Sequence, residues 1–212
     1  KLGQVLSTRP DLVGAELATE LAQLQAQTTP DPAEIARATL IAELGRPPEE
    51  LFAAYEPVAF ASASIAQVHR ARLHDGREVV VKILRRDVRP RAEADLEILE
   101  AIARLAERHA TWLRPYQPVA VARQFRRTLR RELDFTYERR NLDTFAQRFQ
   151  DDPTVHFPGS VPGLSTKSVL TMERLDGIAA ADVPALLASG CDLREFARRG
   201  ASMWLQMIFR DS

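Results

Sequence analysis

The sequence predicts an α+β fold, and three observations carry that prediction. Residues 65–73 and 78–84 are short β-type runs joined by His74-Asp75-Gly76-Arg77, and Asp-Gly between alternating apolar runs is a strong hairpin signal. Long stretches on both sides of this hairpin space their apolar residues as a helix does. A further short apolar strand, Val169-Leu170-Thr171-Met172, comes only after those helices, so strands and helices are segregated rather than strictly alternating.

Taken in order, residues 1–29 carry Leu2, Val5, Leu6, Leu12, Leu17, Leu21 and Leu24 at helical spacing, interrupted at Pro10 and closed by Thr29-Pro30-Asp31-Pro32. Residues 32–44 read as a second helix, with Asp31 as N-cap and Gly45 as stop. Pro47-Pro48-Glu49-Glu50 starts a short helical turn carrying Leu51 and Phe52. After the hairpin, 87–110 shows an apolar stripe through Leu96, Leu99, Ile102 and Leu105, which Pro115 and Pro118 interrupt. Residues 119–149 read as one long helix, and His156 to Pro158 with Val161 as a strand edge. Glu173-Arg174-Leu175-Asp176-Gly177 turns the chain out of the 169–172 strand, and helices at 183–189 and 192–210 finish it.

Composition bounds the chemistry. Lysine plus arginine equals aspartate plus glutamate at 29 each, so no global charge argues for nucleic acid. The one cysteine, Cys191, excludes an internal disulfide and suits a reducing, cytoplasmic compartment. The four histidines stand apart without ligand spacing, so no metal site is expected within this chain. No run approaches the ~20 apolar residues that span a bilayer, and no signal-peptide pattern is present. The chain opens without methionine and stops inside an apolar helical run, and it reads as a piece of something longer.

The chemistry-bearing stretch is 57–84. Ala61-Ser62-Ala63-Ser64 is a loop of tiny side chains leading into the hairpin, and Lys82 lies in the second strand behind Val79-Val80-Val81. Small residues let backbone N–H groups approach phosphate oxygens while a strand lysine supplies a point charge, the layout of a nucleotide-phosphate clamp. The ordinary alternative is a solvated strand lysine. Glu132 and Asp134, two apart on a predicted helix, do not share a face, so bracing is a better role for them than paired acid–base work. Arginines at 123, 126, 127, 130, 131, 139 and 140 read as a solvated helix face, with anionic lipid headgroups as the functional alternative. His69 reads as a packed or hydrogen-bonded strand histidine.

Four motifs fall in one order: Lys1-Leu2-Gly3-Gln4 as K-x-G-Q, the Ala61 to Ser64 loop before I-A-Q-V-H, Val79 to Lys82 as the strand-three lysine motif, and Glu132-Leu133-Asp134 with Glu138 and Asn141 as E-x-D…E…N. Together they make the chain resemble the UbiB family, also called AarF-domain or ADCK atypical kinases, over essentially its whole length. The resemblance implies a protein-kinase-like small lobe at 53–176, a family-specific N-terminal helical extension at 1–52 and the first part of a large helical lobe at 177–212.

It also implies roles. Lys82 would contact the α- and β-phosphates of ATP and pair with Glu138. Ala61, Ser62, Ala63 and Ser64 would cover the phosphates, with Val68 beside them. Met172, Glu173 and Leu175 would lie at the adenine hinge. Lys1 and Gln4 would sit on a helix folded across the protein-substrate site, fixed by Glu132 and Asp134. Ser62 stands where the family usually has alanine and Ala59 where proline is common, which bears on nucleotide preference.

The family's H-x-D-x-H-P-G-N loop and D-F-G do not occur in these 212 residues. The ligands for Mg²⁺ are therefore expected beyond Ser212, and the chain by itself is expected to be inactive. For the full-length protein the resemblance implies an ATPase or kinase serving isoprenoid quinone (ubiquinone) biosynthesis, membrane-peripheral or anchored through segments absent here. The rivals are a nucleotide-gated module binding lipid or a quinone precursor, and a true protein kinase.

Overall fold

The computed structural model describes Gly14 and residues 29–209. The predicted helical stretch 1–29 lies almost wholly outside them, as do Lys1 and Gln4.

Helix α1 (Ala33–Leu44) is followed by the single turn α2 (Pro48–Leu51). Four strands come next: β1 (Ala54–Tyr55), β2 (Ala61–Ser62), β3 (Ala66–Arg72) and β4 (Glu78–Leu84). Three helices, α3 (Val88–His109), α4 (Pro118–Glu132) and α5 (Phe135–Arg148), precede β5 (Val169–Glu173). The short α6 (Val183–Ala188) and α7 (Leu193–Phe209) follow. The sheet is antiparallel, ordered β1-β3-β4-β5, with β2 also pairing β3. The expected hairpin is the β3–β4 pair, turning at Gly76 in the left-handed region (φ 90°), where Asp75 accepts from the Arg77 amide at 3.0 Å.

Alternation along β4 builds two cores. Val79, Val81 and Ile83 face one side, where they pack with Ala36 and Leu40 of α1 and with Leu51, Phe52 and Val169. Val80, Lys82 and Leu84 face the other, where Leu84 joins Ala66, Leu133, Phe135 and Leu170 beneath α3, α4 and α5. Strand register sets Val68, Lys82 and Leu170 side by side. The lysine therefore points at the helices and away from α1.

Four expectations need correction. The predicted helix 119–149 is two helices, because Asp134 leaves helical geometry (φ −130°, ψ 100°) and its carboxylate accepts from Thr136 N at 3.0 Å and Thr136 Oγ1 at 2.6 Å. Asp31 does not cap α1, which has no side-chain cap; its carboxylate takes Arg85 Nε at 3.2 Å and Arg86 N at 2.8 Å instead. Residues 156–158 form no strand, and the edge contact is a single bridge from Ser160 to Met172. Glu173 ends β5 rather than starting the turn.

Candidate functional site

Lys82 and Glu138 come together from 56 residues apart. Lys82 Nζ lies 2.7 Å from both Glu138 carboxylate oxygens. Their side chains are 23% and 38% exposed, so the pair is half-buried and open to solvent on one side. Beneath the ammonium is the Phe135 ring, 4.9 Å from Nζ to the ring centroid and itself fully buried. Both Phe135 and Glu138 belong to the first turn of α5, which Asp134 caps. A carboxylate near a helix N-terminus also meets the favourable end of the helix dipole. The two-residue offset between Asp134 and Thr136 thus decides where Glu138 points.

The small-residue segment is partly strand. Ala61 and Ser62 pair with Val68 and Gln67 of β3, and Ala63 N donates to Ala66 O at 2.8 Å, which closes the turn over Ser64 and Ile65. Val68 lies between Ala61 and Lys82 in register and shares the lysine's face. The Ser62 hydroxyl is buried and has no hydrogen-bond partner among the described residues. A buried unpaired hydroxyl costs free energy unless something else meets it.

On the strand face that carries Val80 is a concavity of about 360 Å³ lined by Phe60, Arg70, Val80, Pro158 and residues 172–177; Lys82 is not part of its lining. Val80 is two residues from Lys82 on one strand face, about 7 Å along it. The Glu173 amide is spent on Gly159 O at 2.8 Å and the Arg174 amide on Glu78 O at 3.1 Å, while the Leu175 amide has no partner among the described residues. The Glu173 side chain turns to the 156–159 loop, where the Gly159 N–H and then the His156 ring hold its carboxyl below the usual glutamate range. Met172, Glu173 and Leu175 all line the concavity, and the Glu173 carboxylate is engaged by His156 and the Gly159 amide.

Other predicted positions fall elsewhere. Glu132 ends α4, and Asp134 acts as a cap, a bracing role of a kind the predicted long helix did not contain. The arginine ridge is largely committed within the chain. Arg130 bridges Glu93 at 2.7 and 2.8 Å, Arg126 meets Glu100 at 3.1 Å, Arg139 meets Asp143 at 2.9 Å and Arg127 meets Gln124. Among the described residues no cluster of three or more His, Cys, Asp or Glu side chains converges to hold a metal.

His69 is the packed, hydrogen-bonded strand histidine the sequence suggested, but the polar seam it anchors on the opposite sheet face was not foreseen. His69 is fully buried; its Nδ1 faces the Glu56 carbonyl at 3.0 Å and donates there, leaving Nε2 to accept from the Gln67 amide at 3.1 Å. Burial holds the ring below the usual histidine range, in keeping with that neutral tautomer. Gln67 Oε1 in turn takes the Asp31 amide at 2.7 Å, so I-A-Q-V-H is a structural string that ties the strand to the start of α1.

Comparisons with known proteins agree with one another. The model of the ABC1 atypical kinase-like domain matches residues 23–212. A protein of Marinobacter nauticus named probable protein kinase UbiB is 40% identical over 212 residues, covering all of this chain and 39% of that protein. A protein of the same name from Aliivibrio fischeri is 38% identical over 213 residues with the same coverage. The chain thus spans about two fifths of the length of these curated relatives. Among solved structures, the complex of Rv3197 with erythromycin from Mycobacterium tuberculosis is similar at a TM-score of 0.56 and 30% identity, over 86% of this chain and 46% of that one.

Proposed function

The chain belongs to the ABC1 atypical kinase-like family, and from that premise we propose that it is the nucleotide-gripping front of a UbiB-type ATPase or kinase. The observation that carries the proposal is the half-buried Lys82–Glu138 pair, two groups 56 residues apart held at 2.7 Å.

The residues present fit a nucleotide. The concavity of about 360 Å³ offers Phe60, Val80, Met172 and Leu175 to a base beside the charged Arg70, Glu173, Arg174 and Asp176, and the Leu175 amide has no partner among the described residues. Within the small-residue segment Ala61 shares the lysine's face through Val68, whereas Ser62 pairs with Gln67 on the other face, so the cover over the phosphates falls to Ala61 and the turn that follows. When bound, ATP with Mg²⁺ supplies an activated phosphoryl group whose charge the metal offsets. Lys82 then donates to phosphate oxygens while Glu138 keeps its ammonium extended and desolvated on the inner side. Phe135 excludes water from beneath that ammonium. Alanine and serine in place of glycine narrow the loop's backbone freedom, so the cover over the phosphates is stiffer than a glycine-rich one. The metal-binding aspartates and asparagine of the family pattern belong, in this reading, to sequence beyond residue 212.

The link to ubiquinone biosynthesis rests on the relatives' name, and a membrane-peripheral setting belongs to the same proposal. A second reading, a nucleotide-gated binder of a bulky apolar small molecule or quinone precursor, draws support from the erythromycin named with the Mycobacterium tuberculosis relative. One experiment separates them. ATP binding and hydrolysis are measured on the protein extended past Ser212, with and without Lys82→Ala, in the presence of anionic vesicles. Turnover lost in Lys82→Ala supports the ATP-using enzyme. Intact nucleotide binding without turnover supports the gated binder. Absence of nucleotide binding by the unmutated protein overturns both.

A further inference from the structure

The elbow between α4 and α5 is held by a side chain that no motif picked out. Arg89, in the first turn of α3, donates to the Leu133 carbonyl from Nε at 3.2 Å and from Nη2 at 3.0 Å. Nη2 also reaches the Lys167 carbonyl at 3.0 Å, and Nη1 reaches Ser168 Oγ at 3.0 Å. The Lys167 carbonyl is the one that accepts from the Phe135 amide at 3.0 Å. A single guanidinium therefore clamps the last residue before the Asp134 cap to the loop entering β5. Directly after that clamp come Phe135, under the Lys82 ammonium, and Glu138, its carboxylate partner.

The far side of the clamp is anchored too. Ser168 Oγ donates to Glu43 Oε1 at 2.6 Å, and Thr166 Oγ1 donates to the other Glu43 oxygen. Ser168 is buried, and Glu43 lies on α1 across the sheet edge. The network thus joins α1, α3, the elbow and the entry to β5. A lysine cannot reproduce it, because the fork geometry lets one planar group serve two carbonyls and a hydroxyl at once.

We propose that Arg89 is a positioning residue for the Lys82–Glu138 pair, acting by pinning the α4–α5 elbow through the Leu133 and Lys167 carbonyls. Its value for catalysis rests on the nucleotide-site reading above, but its geometric content does not. The carboxylate reaches the lysine only if the first turn of α5 starts at the right height and rotation. Removing the clamp lets that turn shift, with the side chains of the pair themselves unchanged. A placement error of about 1 Å at a reacting centre costs up to about a hundredfold in rate, so a loss of about tenfold or more in kcat is expected with KM for ATP changing less.

The test uses the full-length protein in five forms: unmutated, Arg89→Lys, Arg89→Gln, Glu138→Gln, and Arg89→Gln combined with Glu138→Gln. Site-resolved amine labelling of Lys82 is measured first, without nucleotide, with Glu138→Gln alone as reference. In Arg89→Gln the labelling of Lys82 is expected to accelerate severalfold toward the Glu138→Gln rate, with Arg89→Lys in between. In the Glu138→Gln background Arg89→Gln is expected to add nothing, because the partner it positions is already gone. Should Arg89→Gln fail to fold, folded Arg89→Lys decides. Labelling at the unmutated rate in folded Arg89 variants overturns the proposal, as does an equal acceleration with and without the Glu138 carboxylate. Because labelling needs no ATP, a failure of nucleotide binding does not touch it, and unchanged labelling leaves the Lys82→Ala experiment standing.

Discussion

The strands and the last helix treat their apolar residues in opposite ways. Val79, Val81, Ile83, Val169 and Leu170 are buried to 1% exposure or less, and each side of the sheet has helices of the same chain covering it. Helix α7 is as amphipathic by spacing, yet it buries none of its residues, and Trp204 and Phe209 stand 63% and 80% exposed. The sheet and the helix faces packed on it therefore complete their own cores, although α3 leaves Ile98, Ile102 and Leu105 exposed, while α7 presents a face whose counterpart is not among the described residues. The difference locates the chemistry. A lysine and a carboxylate can be held in one geometry only where the elements beneath them are fixed, and Lys82 with Glu138 sits on the completed side.

The largest effect that would break this contrast is expected at Phe135. Its side chain is 1% exposed and packs with Ala66, Leu84, Leu133 and Leu170. Phe135→Ala removes that packing and opens a cavity under the lysine, at a cost of about 3–5 kcal/mol in urea unfolding. A cost below about 1 kcal/mol would mean that this side of the sheet is not the completed core described above.

A smaller effect, at the cap, sharpens the comparison by asking how much local order the site needs. Asp134→Ala deletes the acceptor for Thr136 N and Thr136 Oγ1 and should cost about 1 kcal/mol in thermal or urea unfolding. Asp134→Asn keeps a capping oxygen and should recover most of it. Equal losses in both would show that the carboxylate charge, rather than the cap, is what matters.

These two positions also show what could be read in advance. The hairpin was legible because its signals are local: Asp-Gly at the turn and period-two apolar residues on both arms, which also put Lys82 on the other sheet face from Val81 and opposite Val68. The partnership of Lys82 with Glu138 was reached through motif resemblance, since no local rule links residues 56 apart. The break at Asp134 was not seen, because Leu129, Leu133 and Tyr137 keep helical spacing straight through it. The available signal was an aspartate two residues before a threonine, a side-chain cap that competes with the helix backbone. Asp31 went wrong for the converse reason: it has the residue type of an N-cap, but Arg85 and Arg86 claim its carboxylate. Arg89 was out of reach altogether, since its acceptors include main-chain carbonyls 44 and 78 residues away, and carbonyls have no sequence signature.

The smallest effect on folding is expected on the open side. Trp204 and Phe209 lie five apart on α7, exposed and away from every buried cluster. Replacing them together, Trp204→Gln with Phe209→Ser, removes apolar surface that the fold of this chain does not use. Unfolding free energy should move by no more than about 0.5 kcal/mol, as for surface positions generally. Self-association is a different quantity, because contiguous exposed apolar surface drives it directly. Light scattering of the isolated chain at rising concentration should therefore drop in the double variant while its urea midpoint stays put. If the midpoint falls as far as it does in Phe135→Ala, α7 is part of the core, and the contrast between the two regions is wrong. If scattering is unchanged with the midpoint intact, the association surface lies elsewhere, and the exposed stripe of α3 through Ile98, Ile102 and Leu105 is the next to be tested.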